Sequence, residues 1–380
     1  MVSSEIAISD SPVGKDGSIG HFFVKLRTTF LERNDMSGAA KFAAALSAVA
    51  LVSSAQAAGN NELHVYAWDG EIPQQVVSDF EKEAKAKVII DTFDSNETVI
   101  AKLQAGAGGY DLIEPSNYAI QILVKNHLVQ PLDRTKLPNI GNIGGDFIMA
   151  EYNDGSQYGV PYVWGTTGVA YNTDCVKSPV TSWKALWDKR YQGRSYMLNN
   201  MRGAYAVALQ LNGFHVNSTN PAEVAKATTS LIAQKPILGG YNSTNYADLL
   251  SSGEACIAQA YSNDVERVVE ENPKVKFILP DEGGTRWVDD FAIPVGAPNK
   301  TLAYQFLNFV LRPDVAARIT ELTKTASTVE KSQALLPASI ASNSAIFPPA
   351  SKVRNTDFVH DVGEATNLYR DGWTKVQAAQ

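Results

Sequence analysis

The chain has 380 residues, of which 44% are hydrophobic and 19% charged, so it can bury a large core and is too long for one small domain. Its net charge of −7 is spread along the sequence without a run of Lys or Arg, which argues against nucleic acid as a partner. Two lobes and a cationic or zwitterionic small ligand fit these values better.

The segment that begins at Met36 is typical of a secretory signal peptide. A lysine precedes a short apolar run over residues 42–52, and Ala55-Gln56-Ala57 offers small residues for cleavage. The run is too short and too rich in Ala and Ser for a transmembrane span. We expect Met36 to be the true initiator, residues 1–57 to comprise a misassigned upstream segment and the signal peptide, and the mature chain to be exported to the periplasm.

The mature chain contains two cysteines, Cys175 and Cys256. An exported protein can form a disulfide, but each cysteine also lies in an apolar context that suits a buried free thiol. The sequence leaves both possibilities open.

The first part of the mature chain alternates predicted strands and helices: Leu63–Trp68, helix Ile72–Ala86, Val88–Ile90, helix Asn96–Gln104, Tyr110–Pro115 and helix Ala119–Asn126. Such alternation predicts a mostly parallel sheet with helices on both faces. Ligands bind at the carboxyl ends of strands in such sheets. Trp68-Asp69-Gly70 and Ser116-Asn117-Tyr118 lie at these ends.

The second part of the chain predicts another α/β set. The run Tyr158–Asn172 reads as two extended stretches joined by small residues, which could cross between lobes. Further elements follow: helices Ser182–Trp187, Ala204–Asn212, Pro221–Lys235, Asn263–Glu271, Lys300–Leu311 and Pro313–Leu322, and strands Tyr196–Leu198, Ala255–Tyr261 and Val275–Leu279. We assign 58–166 and 288–335 to lobe 1, and 167–287 and 336–380 to lobe 2.

The run Gly284–Pro294 combines a strand pattern with an aromatic and an acidic side chain. On an alternating strand, Trp287 and Asp289 share a face. An aromatic ring beside a carboxylate can hold an organic ammonium ion by cation–π attraction and a charge-assisted hydrogen bond. Because exposed aspartates are common, the pair taken alone favours a solvated sheet edge over a binding site.

Several short motifs recur along the chain in the order of one known family: Ala67-Trp68, Asp94–Thr98, Tyr110-Asp111-Leu112, Pro115–Tyr118, Val160–Gly165, Trp287-Val288-Asp289 and Leu311–Val315. The chain resembles the periplasmic polyamine-binding proteins, the spermidine- and putrescine-binding subunits of ABC importers. The resemblance implies a two-lobe α/β periplasmic binding protein fold of type II, which closes on its ligand about a hinge and delivers it to a membrane permease. It implies a monomer without cofactor, metal or catalytic residues.

The resemblance also implies a set of ligand-binding residues. The family's contacts fall on Trp68, Ser116, Tyr118, Tyr261, Asp264, Trp287 and Asp289. Asp69 adds an acid directly after the first of these, one place away from the putrescine-type pattern. These residues supply aromatic rings for an alkyl chain and carboxylates for an ammonium group.

The departures from the family concern charge. Asn200 and Gly203 stand where the family carries acids, a glutamine is lost near Val359, and Glu71 stands where spermidine-type members carry an aromatic. Arg202 therefore loses its expected acidic neighbours. A free guanidinium could bind the carboxylate of a short zwitterion such as γ-aminobutyrate. We expect an alkyl-amine cation as the ligand, with the zwitterion as the alternative.

An enzyme is the competing class of protein. The five histidines occur singly, and the sequence has no HxxxH, CxxC, GxSxG or phosphate-binding glycine loop. An enzyme on this fold would have to use Cys175 or Cys256 as nucleophile. A receptor that only signals would have the same sequence features as a transport protein.

Overall fold

The computed structural model describes residues 61–148 and 157–379. The predicted signal peptide lies outside these residues. The strands are β1 (Glu62–Trp68), β2 (Lys87–Phe93), β3 (Leu112–Ile113), β4 (Gly159–Asn172), β5 (Ser195–Met197), β6 (Leu238–Tyr241), β7 (Ile257–Tyr261), β8 (Val275–Ile278), β9 (Gly284–Ala292), β10 (Ala326–Ser327) and β11 (Thr356–Phe358).

The α-helices in the described part of the chain include three single turns. They are α1 (Gln74–Ala84), α2 (Asn96–Gln104), α3 (Asn117–Lys125), α4 (Gly145–Ile148), α5 (Met201–Leu211), α6 (Pro221–Gln234), α7 (Tyr246–Ser252), α8 (Ser262–Val269), α9 (Lys300–Val310), α10 (Pro313–Thr323), α11 (Ala338–Ala341), α12 (Ala350–Val353) and α13 (Thr366–Ala378). The predicted helix Ser182–Trp187 is a 3₁₀ turn, Trp183–Trp187. In the described part of the chain, no helix is long and apolar enough to cross a membrane.

The first strands form the predicted parallel β-α-β unit. β1 pairs in parallel with β2 and with β3, so that Val65 lies beside Ile90 on one side and Leu112 on the other. Val65 and Leu112 face one buried cluster, whereas Tyr66 and Ile113 face another. Because side chains alternate along a strand, both faces of this sheet are covered, as the near-continuous apolar sequence predicts.

Two separate sets of buried side chains form the main cores. The first joins β1 and α1 to β9, α9 and α10, with Phe80, Phe291 and Phe306 at its centre. The second joins α5, α6 and α13 around Trp183, Tyr205 and Tyr369. Two cores confirm the two-lobe α/β fold. The exact lobe boundaries given above stay a prediction.

One long strand connects the lobes. β4 is a single 14-residue strand, not the two extended runs predicted, and its first half pairs antiparallel with β9 while Thr167–Tyr171 pairs with β7. The eleven strands of the described residues form one sheet, in which eight strands follow the order β2-β1-β3-β9-β4-β7-β5-β6. Of the other three, β8 and β10 pair with β4, and β11 pairs with β9. In a two-lobe fold the ligand site is expected between the lobes, which points to the carboxyl end of β1 and the middle of β4 and β9.

The two cysteines form a disulfide in the second lobe. Cys175 follows β4 and Cys256 precedes β7, with their Cα atoms 5.4 Å apart. β4 and β7 are neighbours in the sheet, which brings the two residues together. The bond settles the alternative that the sequence left open.

Candidate ligand-binding cleft

Trp287 and Tyr261 form an aromatic corner of the cleft. The rings meet edge to face, with centroids 6.1 Å apart and planes at 84°. Gly165 on β4 lies opposite Trp287 on β9, and a Cβ at this glycine would overlap the indole. The missing side chain of Gly165 therefore lets the Trp287 ring lie across β4.

Hydrogen bonds from the second lobe hold Tyr261 at the end of β7. Its hydroxyl accepts a bond from the Asn200 side-chain amide at 3.2 Å, and its backbone N–H donates to the Tyr246 hydroxyl at 2.9 Å. Asn200 also caps α5, because its side-chain oxygen accepts a bond from the Gly203 N–H at 2.9 Å. The residues that replace the family's acids thus position an aromatic ring of the cleft.

Asp289 is a buried carboxyl group on β9, only 5% exposed. The backbone of Asp289 pairs with that of Ser116, just before α3, in an isolated antiparallel β-bridge. Burial raises the pKa of Asp289 to about 7, although the Ser116 and Trp68 side chains oppose this by favouring the charged form. No cationic side chain is among the groups that shift the pKa of Asp289. A bound cation would supply the missing positive charge.

Asp264 belongs to the second lobe and lies in the first turn of α8. Its carboxylate accepts a hydrogen bond from the Tyr246 hydroxyl at 2.8 Å and forms an ion pair with Arg267. Burial raises its pKa, and Arg267 is the largest influence in the opposite direction. Asp264 is therefore already paired with a protein cation, unlike Asp289.

Two further acids belong to the cleft, and the sequence analysis did not include them in the site. Glu114 follows β3 and is fully buried, and neither of its carboxyl oxygens accepts a hydrogen bond of normal length within the described part of the chain. Burial raises its pKa well above the usual range, as do the charges of Glu71 and Asp289, although the Trp68 backbone lowers it.

Glu71 lies in the turn after β1. The residue is half-buried as a whole, but its Oε2 atom is buried and has no hydrogen-bond partner among the described residues. Burial raises the pKa of Glu71 well above its usual range, and the negative charges of Asp289 and Asp264 raise it further. The positive charge of Arg267 lowers this pKa. Glu71, Glu114 and Asp289 thus form a cluster of carboxyl groups, here called the acid cluster.

The sequence contains a feature that could have identified Glu114 as a site residue. It directly follows the apolar residues Leu112 and Ile113, at the carboxyl end of a predicted buried strand. A charged residue there is rarely buried without a partner, so its position indicates a site. The corresponding signal for Glu71 is the replacement of an aromatic residue by an acid.

The remaining predicted residues of the first lobe differ in their surroundings. Trp68 packs on Phe93 with centroids 4.6 Å apart. Tyr118 is buried, and its hydroxyl donates to Glu97 at 3.3 Å. Asp69 is exposed in the turn after β1. The acid next to Trp68 thus faces solvent, whereas Glu71, two positions further on, reaches the acid cluster.

Arg202 is not the free guanidinium that the sequence suggested. It is 4% exposed and donates to the His360 carbonyl at 2.8 Å and to the Asn217 side-chain oxygen at 2.9 Å. The guanidinium also lies over the Tyr369 ring, 4.7 Å from its centroid. Its acceptors are neutral groups of the protein. A direct contact between Arg202 and ligand stays a prediction.

The cleft as a whole combines aromatic rings with an excess of carboxyl groups. Glu71, Glu114, Asp264 and Asp289 face a single cation, Arg267, among the groups that shift their pKa values. No group of three or more His, Cys, Asp or Glu residues in the described ranges is arranged to hold a metal ion. The chemistry suits an organic cation, whose charge meets carboxylates while its carbon chain meets aromatic faces.

Comparison with known proteins agrees with this geometry. The family model of the bacterial extracellular solute-binding proteins matches residues 75–348. The chain is 33% identical to the spermidine/putrescine-binding periplasmic protein of Escherichia coli over 331 residues, which cover 87% of this chain and 95% of that protein. It is also 33% identical to the putrescine-binding periplasmic protein PotF of the same organism, over 85% of this chain and 93% of that protein.

A solved structure shows the same fold. The spermidine/putrescine ABC transporter substrate-binding protein PotD of Streptococcus pneumoniae superposes with a TM-score of 0.74 at 25% identity, over 84% of this chain and 99% of that one. Fold, cleft and sequence therefore agree, and the chain belongs to the bacterial extracellular solute-binding protein family.

Proposed function

We propose that this protein is the periplasmic substrate-binding subunit of an ABC importer and captures a polyamine, such as putrescine or spermidine, between its lobes. The observation that carries the proposal is the buried Asp289 carboxyl group, which has aromatic neighbours and no protein cation among the groups that shift its pKa. The names of the relatives support the same ligand class and the same location.

The ligand's charge and carbon chain would meet different parts of the cleft. An ammonium group beside Asp289 gains a charge-assisted hydrogen bond in a site from which water is largely excluded. Trp68, Tyr261 and Trp287 offer faces and edges to the methylene groups and attract the ammonium through their ring electrons. Ser116 and Tyr118 line the first-lobe side of this site, and Asp264 its second-lobe side.

Capture would involve both lobes. Asp289 and Ser116 belong to the first-lobe part of the sheet, whereas Tyr261 and Asp264 follow β7 in the second. A ligand that bridges these groups stabilises the closed arrangement, and the closed form is what a membrane permease would recognise. The protein then acts by binding alone, as a monomer and without catalysis.

The contacts of Arg202 weigh against a zwitterionic ligand. Its guanidinium is already bonded to His360 and Asn217, so a ligand carboxylate would have to compete with these acceptors. The ligand carboxylate would also lie near an excess of acids, which disfavours it electrostatically. A polyamine cation has neither difficulty.

A thermal-shift screen of the purified protein tests the proposal. Putrescine, spermidine, cadaverine and γ-aminobutyrate are each added at increasing concentration. A ligand at one hundred times its dissociation constant stabilises the folded state by about 2.7 kcal/mol, so a tight ligand raises the melting temperature clearly. We expect a diamine or polyamine to do so. A shift with γ-aminobutyrate alone, or with none of the amines, would reject the polyamine assignment.

A further inference from the structure

The unpartnered carboxyl oxygens of Glu114 require an explanation that the fold does not provide. The side chain is fully buried, and neither oxygen accepts a hydrogen bond of normal length from the described part of the chain. A buried carboxyl group without partners is costly in either state, and more so when ionised. The Trp68 backbone is a donor near Glu114, but no protein cation is among the groups that shift the pKa of Glu114.

The acids around Glu114 point to the cleft. Glu71 and Asp289 are close enough for their charges to act on it, and the buried Oε2 atom of Glu71 also lacks a hydrogen-bond partner among the described residues. The Tyr162 hydroxyl donates to the Glu71 carbonyl at 3.2 Å. Ile113, directly before Glu114, pairs with Tyr66 of β1 and with Ala292 of β9, and Ser116 forms a backbone bridge with Asp289. Backbone pairing therefore places Glu114 between the end of β1, which leads to Glu71, and the part of β9 that carries Asp289.

We propose that Glu71 and Glu114, together with Asp289, form a subsite for one terminal primary ammonium group of the ligand. This inference rests on the proposed function, because it assigns one end of the polyamine to the acid cluster. An alkylammonium group has three N–H donors, and the acid cluster offers three carboxyl groups. Binding would satisfy oxygens that lack partners in the empty protein.

The charge balance of the acid cluster favours a primary ammonium group. Arg267 is the protein cation that acts on Glu71, and it is already paired with Asp264. No group of three acids in the described ranges is arranged for metal coordination. A primary ammonium needs no fixed coordination geometry, whereas a metal ion does.

Substitution of the two glutamates tests the subsite. Glu114→Gln, Glu71→Gln and the double variant are compared with Glu321→Gln, which changes an exposed acid on α10. We expect each single variant to weaken putrescine and spermidine binding at least tenfold in calorimetry, and Glu321→Gln to leave it unchanged. The double variant should lose less than the product of the single losses, because both glutamates bind one ammonium group.

Two further measurements separate this role from a structural one. Removing a buried unpaired acid should leave the melting temperature of the empty protein unchanged or raise it, whereas loss of a structural group would lower it. Calorimetry in buffers of different ionisation enthalpy should detect more proton release on putrescine binding in the wild type than in the glutamine variants, because the cation favours the ionised carboxylates. Glu71→Gln serves for this comparison should Glu114→Gln fail to fold.

The outcomes distinguish the subsite from the proposed function. If the wild-type protein binds putrescine or spermidine and both single variants bind as tightly, the subsite is wrong and the proposed function stands. Equal proton release in the wild type and in the glutamine variants also contradicts the subsite. If the wild-type protein binds neither amine, both the subsite and the proposed function are rejected.

Discussion

At the scale of residues, the cleft holds carboxyl groups whose burial is unfavourable until a cation arrives. Burial raises the pKa of Asp289 to about 7 and raises those of Glu71 and Glu114 well above their usual range. Such perturbed acids are typical of functional sites. The empty protein therefore gives up stability at the site where the ligand binds.

The first prediction concerns Asp289→Asn. Removing one carboxylate from a buried ammonium ion should cost about 1.5–3 kcal/mol, which weakens putrescine binding roughly tenfold or more. Calorimetry at pH 8, where Asp289 is mostly ionised, measures the effect. The control Asp314→Asn removes an exposed acid of α10 and should bind normally. Equal affinity in a correctly folded Asp289→Asn protein would exclude this residue from the site.

The same variant should change the pH dependence of stability. The unfolded pKa of an aspartate is about 3.9, and the folded value for Asp289 is about 7. The folded state therefore binds more protons between these values, and the free energy of unfolding of the empty protein falls as pH rises from about 4 to about 7. Asp289→Asn removes the contribution of this carboxyl group. The free energy of unfolding, measured by denaturant titration, should therefore fall less between pH 5 and pH 8 in the variant than in the wild type.

Gly165 gives a second prediction, because its missing side chain makes room for Trp287. Gly165→Ala places a Cβ within the volume of the indole, so the ring must move. The loss of a well-placed cation–π contact is worth about 0.5–2 kcal/mol, and affinity for putrescine should fall roughly 2- to 30-fold. Gly141→Ala, where nothing lies within 4 Å of the added carbon, is the matched control. Equal affinities in both variants would contradict this role.

At the scale of elements, the segment from β11 to Asp361 links the two lobes. On the first-lobe side, Asn117 on α3 donates to the Val359 carbonyl at 2.7 Å, and Lys125 pairs with Asp361 at 3.1 Å. On the second-lobe side, Arg202 on α5 donates to the His360 carbonyl at 2.8 Å. Arg202 therefore holds the segment from β11 to Asp361, which passes between the lobes, against α5.

This role predicts the effect of Arg202→Ala. Its loss removes two charged hydrogen bonds from a buried guanidinium to half-buried acceptors, so the free energy of unfolding should fall by about 2–4 kcal/mol in denaturant titration. The variant should retain the wild-type preference for putrescine over γ-aminobutyrate. Arg370→Ala, at an exposed position, should change neither property. Specific loss of γ-aminobutyrate binding in Arg202→Ala would instead revive the zwitterion alternative.

Local elements were more predictable from the sequence than their long-range contacts. The β1-α1-β2 unit and α2 follow from apolar spacing, and Ser95 caps α2 as its residue type allows. The sequence could not reveal that β4 runs through Gly165 as one strand, because its partners lie about a hundred residues away. The free guanidinium suggested for Arg202 fails partly for the same reason, because one of its acceptors, His360, is 158 residues away.

At the scale of the whole molecule, the account requires closure on the ligand. β4 and β9 cross between the lobes, and the proposed contacts come from both sides of the cleft. Putrescine should therefore reduce the radius of gyration measured by X-ray scattering. The Asp289→Asn protein, at a putrescine concentration that saturates only the wild type, serves as the control. Identical curves for the wild-type protein with and without saturating putrescine would contradict closure.

The central claim is that the cleft binds an amine cation, and isothermal calorimetry of the wild-type protein tests it most directly. Putrescine, spermidine and γ-aminobutyrate are titrated separately at pH 7.5. We predict saturable binding of one ligand per chain for putrescine or spermidine, and much weaker binding of γ-aminobutyrate, because its carboxylate would meet an excess of acids. Tight binding of γ-aminobutyrate without binding of either polyamine would contradict the account.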